Sequence, residues 1–354
     1  MKNKIILQEI ANSISRWLMG DGPEADIVLS CRVRLARNLK DFVFPPYAQP
    51  FGLKQSAENI LNSIRKSNYF KDARIINISE LSPVERRFFL ERHLISLEFT
   101  KNENYRFLVV GKGEMISIMI NEEDHLRLQS IFSGLQLGEA WQLSDIVDDE
   151  LEKSLDYAFS SKWGYLTACP TNTGTGMRAS CMLHLPGLVA TQRINEALKG
   201  ISQLGLVARG LYGEGTKSQG NFFQISNQVT LGVSEEEIVN NVGKISREVV
   251  KEERKGREIL FKRDGAKLKD SVGRAYGLLV NAYLISLEEA MDLLSKVRLG
   301  FSLNLLPEVR NIRVLNELLF LIAPVQIQIK EERGRSSFSR DELRAKIIRK
   351  KLRE

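Results

Sequence analysis

The sequence predicts an α+β chain: a sheet with intervening helices over about residues 25–230, followed by an all-helical carboxyl-terminal region. Three observations carry this reading. Arg106–Val110 and Met115–Ile120 are apolar, β-branched-rich runs separated by Gly111, Lys112, Gly113 and Glu114, which is a hairpin signal. Ser234 and Glu237 have capping-box spacing, and Ile238, Val242, Ile245 and Val249 then recur every three or four residues. Ser286 with Glu289 repeats that signal ahead of Ala290, Leu293, Leu294 and Val297.

The remaining elements fall around these. Periodicity gives a helix at the amino-terminal end, Gly164–Ala168 and Asn221–Asn227 read as further strands, and Asn316–Leu321 resembles a buried helix. The polar run KEERKGRE places a junction near Lys255 and Gly256, giving segments 1–23, 24–255 and 256–354. There is no internal repeat.

Composition excludes several classes. With 354 residues, 43% hydrophobic and 27% charged, the chain can bury a sizeable core and is not a disordered sequence. Its longest nearly apolar runs, Ala275–Leu287 and Val314–Val325, are interrupted by Asn281, Asn316 and Glu317 and fall short of the roughly 20 residues of a membrane helix. The first 20 residues carry Glu9 and no small-residue cleavage site, so a cytoplasmic protein is expected. Cys31, Cys169 and Cys181 lack CxxC spacing, and His93, His125 and His184 are scattered, so neither a disulfide framework nor a metal site is expected.

Net charge is +7, and residues 331–354 hold nine Lys or Arg against five Asp or Glu, a balance of +4. Such a surplus suits phosphate-bearing partners or plain solubility, and composition alone weighs nucleic acid and solubility equally.

Common nucleotide signatures fail. In GLYGEGTKS, residues 210–218, Thr216 stands where a phosphate loop needs Lys directly after Gly, no GxGxxG follows a strand, and HRD and DFG are absent. Five other clusters complement one another. SCRVR puts Arg32 and Arg34 two apart, so an extended strand projects both from one face. NEEDHLR joins Glu122 and Glu123 to Arg127, CPTNTGTGMRASCM is a Pro/Gly/Thr loop from Cys169 leading into Arg178, RGLYGE links Arg209 to Glu214, and RDELRA lies in the basic tail. Singly, each has an ordinary reading as a solvated face or a turn. Together, arginines and glycines suit a triphosphate, and the carboxylates suit a cation.

SCRVR, NEEDHLR, CPTNTGTGMRAS and RGLYGE, in that order, resemble the signatures of the phosphagen kinases, the ATP:guanidino phosphotransferases, over about residues 24–255. The resemblance implies a glutamine-synthetase-like catalytic domain, with a central antiparallel sheet flanked by helices, acting on ATP with Mg²⁺. It implies a nucleotide site from Ser30, Cys31, Arg32, Val33 and Arg34; from Arg127; from Arg178, Ala179, Ser180, Cys181 and Met182; and from Arg209, Gly210, Leu211, Tyr212, Gly213 and Glu214. The five arginines would surround the phosphates, with His93 beside the adenine; an ordinary half-buried helix histidine is the competing reading of His93. Glu123 and Glu214 would hold the acceptor guanidinium, with Glu122 a neighbouring acid and Cys169 the reactive cysteine tuning the acceptor side.

Three departures refine the resemblance. Only 29 residues precede SCRVR, where small-guanidino kinases carry a long helical domain; Tyr212 and Gly215 stand where those relatives have Arg and His; and a helical region ending in RDELRA follows. These features resemble the bacterial protein arginine kinases of the McsB type, implying transfer to arginine side chains of proteins, which a more open acceptor side suits. That family implies a phosphoarginine pocket at Arg340, Asp341, Glu342, Leu343, Arg344 and Ala345. It also implies as partners a heat-shock repressor and unfolded proteins as substrates, a zinc-binding activator, a Clp unfoldase and protease that degrades the marked proteins, and a second copy of the chain in a homodimer, with no membrane and no direct nucleic acid. A kinase for free arginine and a non-catalytic phosphoarginine- or nucleic-acid-binding regulator are the competing expectations.

Overall fold

The structure is a computed structural model describing residues 2–101, 104–210, 218–330 and 339–353. Helix α1 (Lys2–Asn12) leads into β1 (Val28–Arg37), followed by α2 (Pro50–Lys66), β2 (Arg74–Asn77), α3 (Pro83–Glu91), β3 (Phe107–Val110), β4 (Ile116–Ile120) and β5 (Leu126–Ser133). Next come α4 (Leu137–Glu152), β6 (Phe159–Ser160), β7 (Gly164–Tyr165), β8 (Met177–His184), α5 (Pro186–Ala190), α6 (Ile194–Gln203), β9 (Leu206–Gly210) and β10 (Phe222–Asn227). Helices close the chain: α7 (Glu235–Asn281), α8 (Leu287–Ser302), α9 (Ile312–Leu321), α10 (Pro324–Lys330) and α11 (Arg340–Arg353).

Among the described residues the main sheet has eight antiparallel strands in the order β2-β3-β4-β5-β1-β8-β10-β9. Its two faces differ because side chains alternate along each strand. Cys31, Val33, Leu35, Ala179, Cys181, Phe223 and Ile225 point to one face, where Ala140, Val147 and Leu151 of α4 and Ile238, Val242, Ile245 and Val249 of α7 bury them. The period-of-four residues that predict α7 are therefore the ones that cover the back of the sheet. Its predicted start is a capping box between Ser234 and Glu237, and Ser286 accepts from the Glu289 amide at the start of α8.

The predicted hairpin is β3-β4, and Asn221–Asn227 corresponds to β10. The strand expected over Gly164–Ala168 is shorter: β7 is two residues, paired with β6 and bridged through Tyr165 to Gly174, and its last contact with the β6 side is the Leu166 amide donating to the Ala158 carbonyl. KEERKGRE, where the sequence places a junction, is continuous helix with Lys251, Arg254, Lys255 and Glu258 exposed. Helix α7 runs through it, kinking only at Asp264, and Glu253 and Arg257 are buried in it. Glu253 accepts from the Gly187 and Leu188 amides at the start of α5 and pairs with Arg257 at 2.7 Å. Gly256 sits against Gly187 so closely that a Cβ would lie 2.9 Å from its carbonyl carbon. Two charges of this run, Glu253 and Arg257, are thus matched inside a helix contact.

A second core forms from Val272, Ala275 and Leu279 of α7, Leu294 and Val297 of α8, Leu315 and Leu318 of α9 and Ile348 of α11. Trp17, Leu29, Ile131 and Phe222 belong to the same cluster, so the helical region packs onto one end of the sheet's front face. No described helix is long and apolar enough to cross a membrane.

Candidate active site

The front face of the sheet gathers positive charge. On β1 the only partly accessible side chains between Val28 and Arg37 are Arg32 and Arg34. The register sets Arg34 directly opposite Arg178 of β8 and Arg32 opposite Ser180, while Arg127 of β5 faces Ala36, two residues along from Arg34. Arg209 of β9 faces Gln224, which faces Met182, which faces Ser30. Directly opposed residues share a face, so all five predicted arginines lie on one side. The intervening residues of the same motifs, Cys31, Val33, Ala179 and Cys181, turn their side chains into the core behind, where the Cys31 and Cys181 sulfurs are 2.9 Å apart. These four contribute backbone to the site but no side chain.

The arginines are crowded with one another. Burial and then the Arg127 charge push Arg32 down to about 10. Burial, followed by Arg32, Arg127 and Arg178, holds Arg34 well below its ordinary value, and burial with Arg127 and Arg209 lowers Arg178. The Arg34 Nε is buried with no hydrogen-bond partner among the described residues. Such a cluster is short of anions and is an acceptor for a polyphosphate. Arg127 differs: burial works against its charge but is outweighed by Glu122, so its affinity for the proton rises.

A cavity of about 240 Å³ adjoins this face, bounded by Ser30, Arg32, His93, Ser180, Met182 and Gln224, with Trp17 and Ile131. His93 follows α3 in a left-handed conformation (φ 57°), edge-on to Trp17 at 5.7 Å, and its carbonyl accepts from Gln129 Nε2 at 2.6 Å. Burial and the nearby Arg32 lower His93 to about 4, so it is neutral at physiological pH. A neutral ring and an indole beside cations suit a heteroaromatic base next to its phosphates.

The carboxylates divide their work. NEEDHLR forms a tight turn after β4, with Asn121 at φ 59°. Glu122 is buried; its Oε2 takes Arg127 Nη1 at 2.5 Å and its other oxygen accepts from Ser96. Glu123 is more exposed, 3.9 Å from Arg127 Nη1, and with Glu98 and Arg106 it lines a cavity of about 450 Å³. Asp124 and His125 of the same motif are buried, Asp124 accepting from Asn38 and the Ala168 amide. Glu122 thus positions Arg127, and Glu123 is the carboxylate open to a bound cation.

Cys169 begins the loop into β8, and its sulfur lies 3.1 Å from the Thr171 hydroxyl. The loop's close turns need glycine: Gly174 has φ 117°, and a Cβ there would lie 2.1 Å from the Thr230 carbonyl oxygen. Gly210 ends β9, whereas Leu211, Tyr212, Gly213 and Glu214 lie outside the described residues. Among the described residues no group of three potential metal ligands occurs. Trp17, Ser96, Gln129 and Asn172, which accepts from Arg178 at 3.4 Å, were not singled out from sequence; Asn172 lies inside CPTNTGTGMRASCM without having been picked from it, and the others reach the site through the fold.

RDELRA lies on α11, far along the chain from the sheet motifs. Arg340 is exposed, and Glu342 accepts from the Ser339 amide as an N-terminal cap. Leu343 and Ala345 are buried. Arg344 is buried too, donating to the carbonyls of Ile322 (3.1 Å) and Ile285 (2.8 Å) and pairing with Asp341. Its guanidinium is therefore committed to bracing α11 against the ends of α8 and α9.

Residues 54–256 match the family model described as ATP:guanido phosphotransferase, C-terminal catalytic domain, and residues 265–354 match that described as Protein-arginine kinase McsB C-terminal domain. The protein-arginine kinase of Symbiobacterium thermophilum is 46% identical over 346 residues, covering 97% of this chain and 98% of its own. That of Moorella thermoacetica is 44% identical over 341 residues, covering 96% and 97%. Among solved structures, a lombricine kinase superposes with a TM-score of 0.58 at 23% identity, covering 69% of this chain and 70% of its own. The duplicated taurocyamine kinase of Schistosoma mansoni, with bound transition state analog components, gives 0.58 at 25% identity, covering 66% and 34%.

Proposed function

The chain belongs to the protein-arginine kinases of the ATP:guanido phosphotransferase family, and on that premise we propose that its arginine-lined sheet face grips MgATP while Glu123 and Glu214 hold the target guanidinium. The enzyme is an ATP-dependent kinase of arginine residues in proteins. The observation that supports this division is the convergence of five arginines on one face beside a cavity that the open carboxylate of Glu123 lines. Mg²⁺ enters as part of the nucleotide substrate, held by phosphate oxygens and water.

In the reaction a guanidino nitrogen attacks the γ-phosphorus, the N–P bond forms as the bond to the β,γ-bridging oxygen breaks, and ADP leaves. The guanidinium gives up one proton. A free guanidinium holds its proton to above about pH 12, so a carboxylate near 4.3 does not remove it in the ground state. Glu123 instead aligns the nitrogen with phosphorus and accepts the proton late, as the nitrogen loses basicity. Arg32, Arg34, Arg127, Arg178 and Arg209 meet the charge spreading over the transferring group without having to reorganise. Cys169 beside Arg178 tunes the acceptor side.

The finer reading takes in a heat-shock repressor and unfolded proteins as targets, handing of marked proteins to a Clp protease, a zinc-binding activator, a phosphoarginine reader at RDELRA, a homodimer through the helical region, and a cytoplasmic setting. Incubation with MgATP and an arginine-rich protein, analysed without acid, tests the core of it. The expected product carries an acid-labile, alkali-stable phosphate on arginine; acid-stable label would refute it.

A further inference from the structure

Among the described residues six large apolar side chains are more than 60% exposed; Tyr283 and Leu284 precede α8, and the other four lie on two stretches that meet one cavity. Val43 (63% exposed), Tyr47 (77%) and Phe51 (70%) follow one another across the short turn and the start of α2, and Leu97 (73%) lies on a separate stretch of chain. Both stretches border the acceptor cavity: Pro45, Pro46 and Leu53 line it from the first, and Glu98 from the second. Ser96, next to Leu97, donates to Glu122. Scattered apolar side chains on a surface need no explanation, but a group of them around a cavity lined by carboxylates marks a contact site.

Charge identifies the occupant. Arg106, Arg127 and the Glu122 that Arg127 neutralises also line the cavity, so its two open carboxylates, Glu98 and Glu123, receive a cation, and the apolar side chains receive what stands on either side of it. We propose that Val43, Tyr47, Phe51 and Leu97 form a docking rim for an extended polypeptide segment in which apolar side chains flank the arginine to be phosphorylated. This rests on the kinase reading above and adds a preference about sequence context. A free guanidino metabolite has nothing to place on such a rim. Backbone-extended segments do, because neighbouring side chains project to both sides and reach separate patches.

The test uses the full chain and two peptides of equal length and net charge, each with one arginine, flanked by Leu and Phe in one and by Ser and Gly in the other. The expected KM is about tenfold lower for the apolar peptide, the difference a few partly buried apolar side chains supply. The double variant Tyr47→Ser/Phe51→Ser, and independently Leu97→Ser, remove that advantage while kcat and the KM for MgATP stay within about twofold. Equal KM values in the unaltered enzyme, unchanged in the variants, overturn the rim and leave the kinase reading standing. Phosphorylation of whole proteins but of neither peptide overturns it as well, as does a change of particle mass by light scattering with peptide preference intact, which would assign the rim to self-association. No transfer to any protein or peptide defeats the kinase reading itself and the rim with it.

Discussion

Arg34 and Arg178 stand directly opposite each other on β1 and β8, two cations on adjacent antiparallel strands with Arg32 and Arg127 close by. Like charges in this relation destabilise a sheet, so the pairing is held by the core behind it and relieved when anions bind. Replacing Arg34 with Met should raise the melting temperature of the ligand-free protein while weakening MgATP binding about a hundredfold, the scale of one or two charge-assisted hydrogen bonds. Thermal melts with and without MgATP read both effects. An Arg34→Met protein that is less stable and binds nucleotide normally contradicts the assignment.

The two adjacent glutamates should behave differently. Glu123→Gln is expected to lower kcat about a hundredfold or more with MgATP affinity retained, since it removes alignment and late proton acceptance. Glu122→Gln releases Arg127 and should weaken MgATP binding as well as kcat, because the buried pair of Glu122 with Arg127 and Ser96 sets where that guanidinium points. Calorimetry beside steady-state kinetics separates the two. Identical profiles for both variants would mean that the division of roles is wrong.

Much of this site could be read from sequence because strand geometry is local. A spacing of two in SCRVR suffices to put Arg32 and Arg34 on one face, and the hairpin before NEEDHLR orients its acids. The cross-strand register was not readable: nothing in sequence pairs Arg34 with Arg178, 144 positions later. Trp17 and Ser96 reach the site from segments without motif character, and the polarity of KEERKGRE does not reveal that Glu253 and Arg257 neutralise each other out of water. Local periodicity sees a helix such as α7, but not what its charged positions meet.

Acid should unfold the protein in a range set by its histidines. His93 and His125 are held at about 4, and His184 is lowered well below its ordinary value, in each case first by burial. Between about pH 6.5 and 4 the unfolded chain binds protons that the folded chain refuses, so stability present above 6.5 is lost as pH falls. Each histidine contributes a slope of about 1.4 kcal/mol per pH unit in that window. Glu122, which burial would raise but Arg127, Ser96 and the Glu123 amide together lower, adds a further loss below about 4.5, the ordinary glutamate value. Urea titrations at pH 7, 6 and 5 should give steadily falling stabilities. His184→Gln, at a position where Nε2 meets the Ser295 hydroxyl and Nδ1 has no described partner, should flatten the slope. Stability unchanged from pH 7 to 5 would count against buried neutral histidines.

In RDELRA the two arginines should separate bracing from recognition. Arg344 satisfies two backbone carbonyls, from the loop before α8 and from the end of α9. Arg344→Ala should therefore cost about 2–4 kcal/mol, since it strands buried acceptors. Arg340 is exposed and Arg340→Ala should leave stability within about 0.5 kcal/mol. If phosphoarginine is read here, Arg340→Ala should weaken its binding at full stability, while Arg344→Lys, which keeps the charge but loses the fork of donors, should lose both. Chemical denaturation paired with calorimetry using free phosphoarginine decides the matter. An Arg344→Ala protein as stable as the parent would show that the carbonyl contacts are dispensable and that Arg344 is free to turn toward a ligand.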